Sequence, residues 1–243
     1  MSKSAEYALL QAACLIGLLG VLQYVGVTTW LMEIYPGGNL LDRGSTDGYS
    51  FTHNFLSDLG RTTVFRRGPN PTATGYMLSL AAAGISTMIF FAGLCHFLWK
   101  FHRTPLIILC LICGIGAGAG YVGIALHPIN VDYRGHIRYV QLGFIAFWWM
   151  TVFCAACIFQ NKRFHNNYAR ILLGFALVLG VQIVIMLFGP RSWSSGEALL
   201  LQVIAQKVVV YSEILSMTVL IGGTMVTIRR YYREEDALAE EGD

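Results

Sequence analysis

Six stretches of the chain, residues 7–34, 75–99, 106–126, 139–159, 171–189 and 198–228, each hold enough apolar residues to cross a bilayer, since a helix spans the hydrocarbon with about 20 of them. Inside lipid only helices and closed barrels satisfy their own backbone. This feature reduces the possible folds to an all-α polytopic membrane protein, a six-transmembrane-helix bundle. Composition agrees: of 243 residues 55% are hydrophobic and 13% charged, with a mean hydropathy of +0.56, whereas a soluble domain carries about 25% charge. The net charge of +3 is spread along the chain, so there is no basic stripe of the kind nucleic acid needs.

Short connections and the absence of internal repeats make residues 1–232 a single transmembrane domain, followed by an acidic flexible tail at 233–243 that lacks an apolar period. The first stretch is too long for a signal-peptide core and leads to no small-residue cleavage site, so it is read as retained. Six spans place both termini on one side. That side carries Lys3, Lys100, Arg103, Lys162, Arg163, Arg170, Arg229, Arg230 and Arg233. The other carries Arg43, Arg61, Arg66, Arg67, Arg134, Arg138 and Arg191, four of them in one long loop. The positive-inside rule then makes both termini cytoplasmic, in a protein integral to the cell's plasma membrane.

The loop at residues 35–74 exceeds the length that structureless connections normally reach, so it is expected to have structure of its own and to fold back over the helix ends. Polar residues gather on its side of the membrane. The first loop holds His53, Asn54, Ser57, Asp58 and Arg61; residues 127–138 hold His127, Asp132, Arg134 and His136; a third connection holds Arg191. Within the last span lie Gln202, Gln206, Lys207 and Glu213. At about 100° per residue, Gln202, Gln206 and Glu213 share one stripe, with Lys207 about a quarter turn away. Lys207 lies about two turns below the surface, within snorkelling reach of Asp58 or Asp132. Glu213 is deeper, and must be neutral, paired or beside a wet cavity.

These residues fit a pocket with the first loop as its lid. His53, Asp58, His127, Asp132 and His136 are candidate acid-base groups or metal ligands. Arg61, Arg134, Arg191 and Lys207 are candidate contacts to an anionic head group, with Asn54, Ser57, Gln206 and Glu213 completing the ligand-binding set. The same residues also suit structural work: Asn54 and Asp58 capping turns, arginines at head-group depth, Lys207 paired for packing. No glycine-rich phosphate loop, nucleophile elbow or HExxH is present.

The block from Asn54 to Gly60, the segment from His127-Pro128 to His136, and the pair Gln206-Lys207 resemble the six-span family called domain of unknown function 998, with Lys207 where that family carries arginine. The block is also similar, more distantly, to one in the six-span family of the damage-regulated autophagy modulator and a GPI-anchor lipid-remodelling factor. These resemblances imply a six-span fold and lipid-related membrane biology, without implying catalytic residues. The spacing His53-x4-Asp58 is similar to the box of glycerolipid acyltransferases, but nothing else of that soluble-headed family is present.

All six cysteines lie in spans, which excludes a disulfide scaffold outside the membrane. Cys110-x-x-Cys113 and Cys154-x-x-Cys157 fall at one depth on antiparallel spans, as packing residues or as a metal or redox site. Gly114, Gly116, Gly118, Gly120 and Gly123 in the third span permit close helix approach. Histidines at both faces are also compatible in number with haem, but only His96 lies plainly within a span. No metal or cofactor is assigned. Three function classes remain: a protein that binds, helps remodel or moves a lipid or lipid-linked head group; a membrane-embedded His/Asp hydrolase or transferase, with or without metal; and a proton- or ion-coupled carrier using Lys207 and Glu213. Membrane lipid is the expected partner, and the sequence names no protein partner.

Overall fold

The computed structural model describes residues 2–42, 47–65 and 68–240. The loop charges Arg43, Arg66 and Arg67, which enter the orientation argument, lie outside the described residues, as do residues 241–243 of the acidic tail. Six long helices follow one another: α1 Lys3–Glu33, α2 Ala73–Trp99, α3 Pro105–Leu126, α4 Tyr133–Gln160, α5 Asn166–Phe188 and α6 Gly196–Glu240. All six are long and apolar enough to cross a membrane. Each packs on its sequence neighbours, and α6 closes the ring against α1. This is an integral membrane protein with an all-α, six-span bundle. Leu78, Leu126, Leu177, Phe188 and Leu215 are exposed on its outer surface, as residues facing lipid tails would be.

Local chemistry sets the helix starts. The Ser2 hydroxyl accepts from the Ala5 N–H at 3.3 Å at the head of α1, and the Asp132 carboxylate accepts from the Gly135 N–H at 2.9 Å at the head of α4, each satisfying a donor the first turn leaves open. Pro105 occupies the first turn of α3, where its missing N–H costs nothing. The Asp132 cap starts α4 at Tyr133, six residues before the span's expected start at residue 139. Arg134, His136 and Arg138 therefore belong to a helix and not to the connecting loop.

The C-terminal end departs from expectation, whereas the first loop does not. The acidic segment from residue 233, read from sequence as a flexible tail, continues α6 as helix through Glu240. Its carboxylates have partners there: Asp236 accepts from Lys3 Nζ at 2.6 Å, Glu234 from Arg163 at 2.9 Å, and Glu235 from the Tyr231 hydroxyl. The long first loop is structured, as anticipated. It holds a 3-10 helix at Leu56–Gly60 and a two-stranded hairpin, Thr63–Val64 against Gly68–Pro69. Leu56 and Leu59 are buried against Leu31, Tyr76 and Leu80, in a cluster separate from the main core.

Glycines let the helices touch. A Cβ on Gly118 would lie 2.4 Å from the Gly84 carbonyl oxygen, and one on Gly120 would lie 2.5 Å from the Gly143 Cα, so α3 meets α2 and α4 backbone to backbone. The main core lies toward the chain termini and includes Phe90, Phe91, Phe97, Phe147, Met150, Cys110 and Cys154.

Candidate functional site

The 3-10 helix is held onto the bundle by buried polar side chains. Asn54 accepts from the Ser50 N–H at 2.9 Å and donates to the Gly38 carbonyl at 2.7 Å and to Asp58 at 3.2 Å. Asp58 also accepts from the Phe55 N–H at 2.9 Å, which caps the turn. Two adjacent residues of α6 then clamp its entrance. Gln206 Oε1 accepts from the Leu56 N–H at 2.9 Å, and Lys207 Nζ donates to the Asn54 carbonyl at 2.5 Å. The Asn54–Gly60 block and the Gln206-Lys207 pair, far apart in sequence, are thus two sides of one junction. From α2's side, Asn70 and Thr72 donate to the Leu59 carbonyl at 3.1 and 2.7 Å.

This junction corrects the expected pairing of Lys207 with a carboxylate. Its ammonium is buried and bonded to a main-chain carbonyl, with the Tyr49 and Phe51 rings 5.2 and 5.0 Å away. Among the described residues no carboxylate lies within 4.0 Å of it. The carbonyl dipole and aromatic faces hold the ammonium directly, and the Asp58 charge acts on it from beyond ion-pair distance. Asp58 faces Arg61 at 3.9 Å. Burial pushes the Asp58 carboxyl above its ordinary range, while Arg61, Asn54, the Phe55 N–H and Lys207 oppose that rise.

Directly beneath the 3-10 helix lies a cavity of about 100 Å³, roofed by Leu56 and Ser57 and walled by every long helix except α5. Its apolar wall includes Leu80, Ile124, Val140, Phe144, Ile214 and Met217. Its polar wall brings together Tyr24 of α1, Tyr76 and Thr87 of α2, Tyr121 of α3, His136 of α4, and Gln206 and Glu213 of α6. The Tyr121 hydroxyl donates to the Glu213 carboxylate. The His136 Nδ1 lies 2.8 Å from the His127 carbonyl, so a neutral ring carries its proton there and keeps Nε2 as an acceptor.

Of the residues singled out from sequence, Ser57, His136, Gln206 and Glu213 line this cavity, and Asn54, Asp58 and Lys207 fasten its roof. The others are elsewhere. His53 is exposed and bonds Thr52 at 2.8 Å, so it makes no dyad with Asp58. His127 is tied to the Gly123 carbonyl at 2.7 Å, and Asp132 is the α4 cap. Arg61 lies 3.9 Å from the Phe65 ring centre, Arg134 is exposed, and Arg191 stacks on Trp193. The four candidate anion contacts are therefore not gathered. Among the described residues no three His, Cys, Asp or Glu side chains are arranged to hold a metal ion. The cysteines are free thiols in the helical layers, with Cys110 flanked by Cys95 and Cys154 in the core.

Tyr24, Tyr76, Tyr121 and Thr87 were missed from sequence. The available signal was chemical: a tyrosine inside an apolar span has a hydroxyl that needs a partner. No protein-family model, no curated protein and no solved structure matches the chain.

Proposed function

We propose that this protein binds a lipid or lipid-linked molecule by its head group in the cavity beneath the first loop, and so helps to remodel or move it. The observation carrying this reading is Glu213, a carboxylate deep in a span that faces a cavity and has one hydrogen-bond partner among the described residues, the Tyr121 hydroxyl. A mostly apolar pocket with a few convergent polar groups is the usual form of a ligand site. The volume of about 100 Å³ suits a small polar group of such a molecule. With one carboxylate, three phenols, two aliphatic hydroxyls, an imidazole and an amide on its lining, and no lysine or arginine among the described residues there, the cavity favours a hydroxyl or amine over a bare phosphate.

The resemblance to lipid-associated six-span families points the same way. The hydrolase or transferase reading loses support because its histidines and aspartates are separated. A carrier would need a second opening, and the terminus-side core is filled with Phe90, Phe91, Phe97 and Phe147, each at most 1% exposed. The basic residues of the terminus side support cytoplasmic termini in the plasma membrane.

Native mass spectrometry of the purified protein, with elemental analysis alongside, tests the proposal. Wild-type protein should retain a lipid, and Glu213→Gln should lower its occupancy about tenfold or more, the effect of losing one charge-assisted hydrogen bond. Unchanged retention in Glu213→Gln, or no retained lipid in wild type, would overturn it.

A further inference from the structure

At the opposite end of the bundle, a cleft of about 670 Å³ opens between the first turns of α1 and the part of α6 that follows its apolar span. Lys3, Ser4 and Tyr7 form one wall; Arg229, Arg233 and Asp236 form the other, with Tyr232 between them. We propose that this cleft binds a phosphate group, and that in the membrane the phosphate belongs to an anionic phospholipid. The site is independent of the loop-side cavity, and its ligand chemistry is the opposite.

Charge is the first argument. Three cations and one carboxylate line the cleft. Lys3 is held by Asp236 at 2.6 Å and lies 3.6 Å from Glu235. Arg230, between the other two arginines in sequence, donates to the Arg163 carbonyl at 2.6 Å and lies 3.9 Å from Glu234. Arg229 and Arg233, by contrast, are exposed and make no hydrogen bond or ion pair with any described residue. They are four residues apart, so they share one face of α6, where like charges repel. An anion between them removes that repulsion, and two guanidinium forks match the geometry of phosphate oxygens.

Position is the second argument. The cleft begins where the apolar runs of α1 and α6 end, at head-group depth, and basic pockets between helices at that depth bind lipid phosphates. Tyr7 and Tyr232 pack edge to face with centroids 5.3 Å apart at this level, as interfacial aromatics do. The Ser4 hydroxyl adds a donor. Asp236 is the carboxylate in the lining, and Lys3 pairs with it and with the neighbouring Glu235.

The test uses the full-length protein in detergent, titrated separately with phosphatidylglycerol, phosphatidylcholine and inorganic phosphate, with adducts read by native mass spectrometry. Phosphatidylglycerol should bind at least about tenfold more tightly than phosphatidylcholine, and Arg229→Gln/Arg233→Gln should remove that preference. Arg103→Gln, an exposed arginine on the same side but outside the cleft, should leave it intact. Saturable competition by inorganic phosphate would support the phosphate site and assign its ligand to solution as well as lipid. Arg229→Lys/Arg233→Lys keeps the charge and should retain a weakened preference even if the glutamine variant fails to fold. Equal binding of both lipids by wild type without phosphate binding, an unchanged preference in the folded glutamine variant, or an equal loss in Arg103→Gln would each overturn the proposal.

Discussion

The two halves of the bundle are packed on different terms. Toward the termini, Phe90, Phe91, Phe97, Cys110, Met150 and Cys154 are each 0% exposed, and Phe97 meets Phe101, Phe164 and Tyr231 edge to face at 5.1, 6.2 and 5.7 Å. Toward the first loop, Tyr24, Tyr76 and Tyr121 stand around an unfilled space beside Glu213. Helices in a bilayer gain no hydrophobic drive from one another and depend on close contact, so an open cavity forfeits attraction along its lining. One half thus holds the bundle together, and the other lines a polar cavity under a fastened lid.

The largest effect should come from breaking close contact where the backbones touch. Gly118→Val puts a branched side chain against the Gly84 carbonyl, which cannot turn aside as a side chain would. The expected loss is more than about 3 kcal/mol, at or above the upper range for overpacking, with most of the protein aggregating on extraction. Ile214→Val in the cavity wall should cost about 1 kcal/mol or less, because that side chain already borders space. Thermal unfolding of the two variants in one detergent checks the contrast. Equal losses would mean that the halves do not differ in how they carry stability.

The better-packed parts of this picture were legible in the sequence. Six apolar runs gave six spans, and the glycine series in the third run marked the backbone contacts of α3. The length of the first loop implied structure there, and the polar residues at 206, 207 and 213 within the last apolar run marked where the loop and cavity meet α6. What escaped notice depends on direction in space. Arg134 and Arg191 look like anion contacts in a list of loop charges, but helical geometry at one and a tryptophan face at the other turn them outward. His53 and Asp58 have an attractive spacing, yet Asp58 is committed to its own turn. The tyrosines fall inside the apolar runs, where periodicity weighs their rings and not their hydroxyls.

The lid's fastening is the next way to sharpen the contrast. Lys207→Met removes the donor to the Asn54 carbonyl, a charge-assisted hydrogen bond of the kind that contributes about 1.5–3 kcal/mol. The loss should fall at the low end of that range, since the Tyr49 hydroxyl still donates to the same carbonyl at 3.0 Å. Limited proteolysis should show faster cleavage between residues 50 and 62, with the helices intact and Lys207→Arg closer to wild type. Cleavage at the wild-type rate would show that α6 does not hold the lid.

A smaller, pH-dependent loosening should accompany Asp58. Its folded-state value is raised above the ordinary aspartate value of about 3.9, chiefly by burial. The folded loop therefore holds the proton more firmly than the unfolded chain does. Its contribution to stability is complete below that ordinary value and is lost as pH rises through the raised one. Amide exchange at Leu56–Gly60, corrected for its intrinsic pH dependence, should show protection falling across that window, and Asp58→Asn should flatten the trend. Protection that instead rises with pH would mean that Arg61 outweighs burial.

The smallest expected effect separates the two chemistries that this side of the membrane offers, an arginine rim and a polar cavity. If arginines at head-group depth bind the ligand, removing Arg134 and Arg191 should release it. If the cavity binds it, their loss should be nearly silent, because neither lines the cavity and both side chains are exposed. Exposed substitutions away from such features usually change stability by about 0.5 kcal/mol or less. Arg134→Gln/Arg191→Gln should therefore keep lipid occupancy within about twofold of wild type, by native mass spectrometry on the preparation used for Glu213→Gln. A deep loss in the arginine variant with none in Glu213→Gln would move the binding site from the cavity to the rim.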